Sequence, residues 1–95
     1  ALLHSLALDG GMWDGVAAAL AGRAAVLALD CRGHGASAKG AGPFTTALLA
    51  DDLAAVMDAL GWDAAVVAGC SMGGCVAQDF AARHPARTAG LVLID

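Results

Sequence analysis

One segment carries the residue types and spacing for group-transfer chemistry: Gly69-Cys70-Ser71-Met72-Gly73-Gly74, a serine with glycine two positions before it and two after. It follows the apolar run Ala64 to Ala68 and precedes an amphipathic stretch read from Gly74 to His84. A serine on so tight a passage from strand to helix is held in strained backbone geometry with its hydroxyl turned outward. Its neighbours must be small because strand and helix approach closely there, and glycine meets that demand. The next amide, that of Met72, falls at a helix N-terminus, where unpaired N–H groups and the helix dipole favour an oxyanion. Ser71 is therefore placed to attack an acyl carbon. The competing reading is a glycine-rich turn used for packing or for cradling a phosphate, but the spacing fits neither G-x-G-x-x-G nor a P-loop with its lysine.

A tetrahedral oxyanion calls for a second donor. The loop His4 to Gly11 leaves the first apolar run, and if that run pairs beside the strand ending at the serine, the backbone N–H of Leu6 is the candidate. An aligned donor at such a site is worth about 2.7–4 kcal/mol in the transition state. Among the histidines, His84 is about 13 residues along the helix from Ser71, roughly 20 Å at 1.5 Å per residue, which removes it as a base. His4 and His34 follow strand ends and could come near the crevice as bases, but a hydrogen-bonded structural histidine bracing its loop is the commoner case. Asp30, Arg32 and Ser37 are read as stabilising their own loop by hydrogen bonding. Cys70 is turned away from the direction of Ser71 by strand alternation and packs, and Cys75 is expected to face the core or the sheet. Met12, Trp13, Met57 and Trp62 are expected in the core or in a crevice wall, with Trp13 a possible substrate contact.

The elements that must hold these groups are legible as alternating patterns. Apolar runs of strand length recur at Ala1 to Leu3, Ala24 to Leu29, Ala64 to Ala68 and Leu91 to Ile94. Between them, Met12 to Leu20, Thr46 to Leu60 and Gly74 to His84 repeat apolar residues at helical spacing. Thr45 or Thr46 suits the N-cap of the second helix, Gly61 its C-terminal stop, and Pro85 ends the third. The order β-α-β-α-β-α-β implies an α/β fold: a doubly wound parallel sheet, covered on both faces, with right-handed crossovers. Functional loops in such a sheet leave the carboxyl ends of its strands.

The chain has 95 residues, which limits it to one domain, 1–95. A net charge of −4 without a basic run argues against a nucleic-acid partner. The 59% hydrophobic fraction is inflated by alanine, and the longest apolar stretches fall short of the ~18 residues of a membrane span, so no membrane partner is expected. Three cysteines without metal-ligand spacing make a disulfide framework improbable and point to a reducing, cytoplasmic setting. The terminal run Leu91 to Ile94 reads as a buried strand, so the domain is expected to be truncated at both ends.

The sequence resembles the α/β-hydrolase fold superfamily, in its branch of 3-oxoadipate enol-lactonases and small esterases. The resemblance rests on Leu2-Leu3-His4-Ser5-Leu6 with Met12-Trp13-Asp14, on Asp30-Cys31-Arg32-Gly33-His34-Gly35-Ala36-Ser37, on the Ser71 segment, and on Ala81-Ala82-Arg83-His84-Pro85 leading into Leu91 to Asp95. It implies a partial hydrolase core comprising the third to sixth strands of an eight-stranded sheet. Ser71 is then the nucleophile, and the amides of Leu6 and Met72 are the oxyanion hole. It implies hydrolysis of a small-molecule ester or lactone through an acyl-enzyme, with neither metal nor cofactor. In that family the acid and the His follow later strands; in some branches the acid follows the sixth, where Asp95 stands. The 95 residues alone, lacking the His, are expected to be inactive. Their second and fourth strands would be open edges through which homo-oligomers form. The alternatives are a non-catalytic relative binding a small ligand, and an acyltransferase.

Overall fold

The computed structural model describes residues 1–40 and 42–95. Along the chain run β1 (Leu2–Leu3), a 3-10 turn (Gly10–Trp13), α1 (Asp14–Leu20), β2 (Ala28–Leu29), α2 (Thr46–Leu60), β3 (Ala65–Cys70), α3 (Met72–Arg83), a second 3-10 turn (Pro85–Arg87) and β4 (Thr88–Ile94). The four strands form one parallel sheet in the order β2-β1-β3-β4. Leu2 and Leu3 of β1 lie opposite Ala68 and Gly69 of β3. The loop after β1 and the serine bend after β3 thus leave the same sheet edge side by side. The second and fourth strands are the sheet edges, as the resemblance implied.

Helix α2 begins and ends where its chemistry dictates. Thr45 accepts a hydrogen bond from the Leu48 amide at 3.1 Å, and Gly61 closes the helix at φ 73°, in the left-handed region. Leu49, Leu53 and Met57 project from α2 at helical spacing and are fully buried with Leu3, Val67, Val76 and Phe80. This is the main core, between the sheet and the pair α2 and α3. Each large side chain removed from water there contributes about 1.5–3 kcal/mol. Arg83 grips Asp51 with two hydrogen bonds (3.0 and 2.6 Å), and His84 Nε2 meets the same carboxylate at 3.0 Å. Arg83 first, and His84 second, hold the Asp51 carboxyl below its usual range. Arg87 donates to the carbonyls of Asp63 and Trp62, tying the end of α2 to the start of β4.

The opposite face is thinner than expected. Trp13 packs on Leu2 and Ala68, but α1, short and rich in alanine and glycine, buries none of its residues. An apolar concavity of about 650 Å³ remains beside it, walled by Trp13, Val16, Val66, Val92 and Ile94. Of the two expected covered faces, only the one under α2 and α3 is well covered. Two strands also differ from their apolar runs. Only Ala28 and Leu29 pair within the expected Ala24 to Leu29, whereas β4 starts at Thr88, three residues before Leu91. No helix among the described residues is long and apolar enough to cross a membrane.

Candidate active site

Ser71 sits at φ 53° and ψ −113°, a conformation an L-residue adopts only under constraint. The constraint comes from both sides. Its amide donates to the Ile94 carbonyl at 3.1 Å, extending the β3–β4 ladder by one residue. Its carbonyl accepts from the amides of Gly74 (2.9 Å) and Cys75 (3.2 Å), starting α3. With the backbone committed in this way, the side chain is exposed and makes no hydrogen bond among the described residues. Close approach explains the flanking glycines. A Cβ on Gly69 would land on the carbonyl of Gly73, and a Cβ on Gly73 on the carbonyl of Leu3. The helix accordingly starts at Met72, two residues before the expected Gly74, and the Met72 amide at its first position has no acceptor within the protein among the described residues.

The Leu6 amide likewise donates to nothing among the described residues. Its loop is tied to the serine bend by Ser5, whose Oγ donates to the Cys70 carbonyl at 3.4 Å. Ser71, Met72 and the loop bearing Leu6 are thus gathered at one end of the sheet. His4 is fully buried in that loop. Its Nε2 accepts from the Cys31 amide at 2.9 Å, so the ring proton resides on Nδ1 and donates to the Ser5 carbonyl at 2.8 Å. Both ring nitrogens are consumed by backbone, which makes His4 the brace that the sequence suggested. His34 contacts the Arg32 carbonyl through Nδ1 at 3.1 Å and lies against His4, ring centroids 5.0 Å apart. His84 is engaged with Asp51 at the far end of α3.

Several neighbours depart from expectation. The Arg32 carbonyl serves its own loop through His34, but its side chain forms a two-bond pair with Asp52 of α2, at 3.0 and 2.8 Å. Asp30 serves its own loop, accepting from Ala36 at 2.9 Å, and also reaches the other loop, accepting from the Gly10 amide at 2.7 Å. Ser37 donates to the Asp30 carbonyl. Cys75 is exposed rather than turned to the core, because it shares a helix face with the exposed Gln78 and Ala82, opposite the buried Val76, Ala77 and Phe80. Cys70 packs half-buried against the Leu2, Trp13 and Ala68 cluster. Cys31 is buried, and burial foremost, with Asp52 and Asp30 adding to it, pushes its thiol up to about 11, which leaves it unreactive. Met57 and Trp13 are core residues, whereas Met12 is partly exposed and accepts the Ser5 N–H on its sulfur at 3.4 Å, a contact with no sequence signal. No group of three or more His, Cys, Asp or Glu among the described residues is arranged to hold a metal ion.

The model of the alpha/beta hydrolase fold family matches residues 2–95. The chain is 40% identical over 93 residues to a pimeloyl-[acyl-carrier protein] methyl ester esterase of Chromobacterium violaceum, covering 98% of this chain and 35% of that protein. Among solved structures, a thermophilic esterase from Thermogutta terrifontis superposes with a TM-score of 0.94 at 40% identity, over 97% of this chain and 34% of that one. An enol-lactonase from Burkholderia xenovorans superposes with a TM-score of 0.90 at 40% identity, over 95% and 35%. The chain spans 27–36% of the length of the curated relatives it matches. By the match along its length and by its sheet order, this chain belongs to the α/β-hydrolase fold family.

Proposed function

We propose that these residues form the nucleophile-bearing part of a longer serine hydrolase acting on small carboxylic esters or lactones. Ser71 Oγ attacks the acyl carbon, and a His from another part of the protein takes its proton. The amides of Leu6 and Met72 receive the negative charge of the tetrahedral intermediate. The His gives that proton to the departing alkoxide, which leaves as the alcohol or opens the ring; water, deprotonated by the same His, then attacks the acyl carbon and frees the acid, the proton returning to Ser71 Oγ. This sequence of steps draws on side chains and amides alone. The observation that carries the reading is the strained, exposed Ser71 beside an amide with no internal acceptor. The ester and lactone chemistry is favoured by the names of the relatives, an esterase of a methyl ester and an enol-lactonase among them.

A fluorophosphonate probe tests it on the full-length protein. Peptide mapping should find the label on Ser71, and Ser71→Ala should abolish both label and ester turnover; labelling that survives this substitution overturns the reading. The 95 residues alone should turn over ester negligibly, since both ring nitrogens of His4 are taken by backbone, His84 is engaged with Asp51 at the far end of α3, and His34 makes no hydrogen bond to Ser71. Donor amides and binding leave only a small residue of catalysis when triad members are missing. Brisk, Ser71-dependent turnover by the isolated chain would contradict that assignment of roles.

A further inference from the structure

The Leu6 amide rides on a loop that does little to hold itself. Residues 6–9 are exposed, Ala7 sits at φ 63° without being glycine, and within Ser5 to Gly10 the only backbone bond is Leu8 N–H to the Ser5 carbonyl at 3.1 Å. Besides the tie from Ser5 Oγ to the Cys70 carbonyl, what fixes the loop comes from the neighbouring one, after β2. At its start, the Cys31 amide orients the His4 ring, which then holds the Ser5 carbonyl. That carbonyl and the Leu6 N–H belong to one planar peptide, so fixing the oxygen aims the N–H. At its other end, the Gly10 amide donates to Asp30 Oδ1 at 2.7 Å while Oδ2 accepts from Ala36 at 2.9 Å. The fit around this carboxylate is tight. A Cβ on Gly35 would strike it, and one on Gly10 would come within 3.1 Å of it.

We propose that Asp30 is a positioning residue for the oxyanion hole, clamping the far end of the Leu6 loop so that the loop after β2 sets where the Leu6 amide points. The proposal rests on the serine-hydrolase reading above. Asp30→Asn keeps the shape but exchanges one of two acceptor oxygens for a donor, so one of the two amides loses its partner. With the NH2 turned toward Gly10, the loop keeps only its anchors at His4 and at Ser5 and swings about them. Displacement of a catalytic donor by about 1 Å costs on the order of 100-fold in rate, and because the amide acts on the transition state, the loss falls on kcat and leaves KM nearly unchanged.

On the full-length protein, Asp30→Asn should lower kcat and slow fluorophosphonate labelling of Ser71 together, by about 10- to 100-fold, with KM near wild type. Wild-type kcat and labelling rate in Asp30→Asn, or a loss confined to KM, would overturn the clamp while the Ser71 reading stands. Absence of label on wild-type Ser71 would instead overturn that reading. A measurement on the wild-type protein keeps the clamp testable even if the variant fails to fold. The amides of Ala36 and Gly10, in that order of effect, hold the Asp30 carboxyl below its ordinary range against the opposing effect of burial; the titratable groups facing it are His4 at the end of β1 and His34 in its own loop. The clamp is therefore intact at neutral pH and is lost only as pH falls through that depressed value. In an acid titration followed by amide NMR, the Gly10, Ala36 and Leu6 resonances should move with one midpoint below the usual carboxylate range. A Leu6 amide that ignores the transition felt by Gly10 and Ala36 would refute the coupling.

Discussion

Gly73 and Gly15 are both helical glycines, yet they answer to opposite demands. Gly73 lies where α3 crosses β1, and a methyl there would meet the Leu3 carbonyl, backbone against backbone with no flexible group to yield. Gly73→Ala should cost about 3 kcal/mol or more, and should displace Ser71 along with the helix start. Gly15 in α1 has nothing within 4 Å of a built Cβ and an ordinary helical backbone. Gly15→Ala should stabilise by about 0.5–1 kcal/mol. Denaturant unfolding of the two variants of the full-length protein measures both; equal effects would show that the close approach at Gly73 is not a constraint. The steric demand at Gly69 is set by Gly73 within the segment and that at Gly73 by Leu3 of β1, but both are met by a residue type, glycine, so the serine bend could be read from six residues of sequence. The partners of His4 and Asp30 could not. Cys31 N–H lies 27 positions from His4, and Gly10 N–H lies 20 from Asp30; backbone donors carry no residue-type signal, and only folding brings the two loops together.

At the scale of the element, α2 was legible from end to end because its boundaries are chemical. Thr45 supplies an oxygen to the Leu48 amide and Gly61 takes the left-handed turn, so the helix starts and stops at those residues. Thr45→Ala should destabilise the protein by about 1 kcal/mol, without altering the labelling of Ser71, since Thr45 makes none of the hydrogen bonds that hold the serine's backbone. A thermal melt reads the first effect and the probe rate the second; an unshifted melt would mean that the cap is replaced by water at no cost. Helix α3 was less legible at its start. Gly73 and Gly74 have poor helix propensity and the apolar repeat begins only at Val76, so periodicity places the first turn late. What starts the helix at Met72 is the Ser71 carbonyl accepting from Gly74 and Cys75. Strand β2 erred the other way. Ala24 to Leu29 is uniformly apolar, but it lies at a sheet edge with β1 on one side only, and β1 itself has just two residues to offer.

Taken as a whole, the molecule is asymmetric in what it covers. One face of the sheet is sealed by α2 and α3, while the other keeps the 650 Å³ apolar hollow, and β4 pairs on a single side. Leu91, Val92, Leu93 and Ile94 are 41–50% exposed, so the outer strand offers a row of unpaired backbone groups flanked by large apolar side chains on both faces. An edge of that length without a charge, a proline or a covering element is a template for pairing with another chain, and an apolar patch of this kind adds a hydrophobic drive to the pairing. The 95-residue chain should therefore associate. Sedimentation velocity should show the mean mass rising with concentration, and an environment-sensitive dye should brighten in the hollow. Leu93→Lys places a charge on the exposed flank of the edge at a side chain already half in solvent, so it should shift the distribution toward monomer with little loss of fold. If the unmodified chain sediments as one monomer across the concentration range, the β4 edge is not the sticky surface that its exposure indicates. If Leu93→Lys leaves association unchanged, the contact lies in the hollow beside α1 and not along the strand.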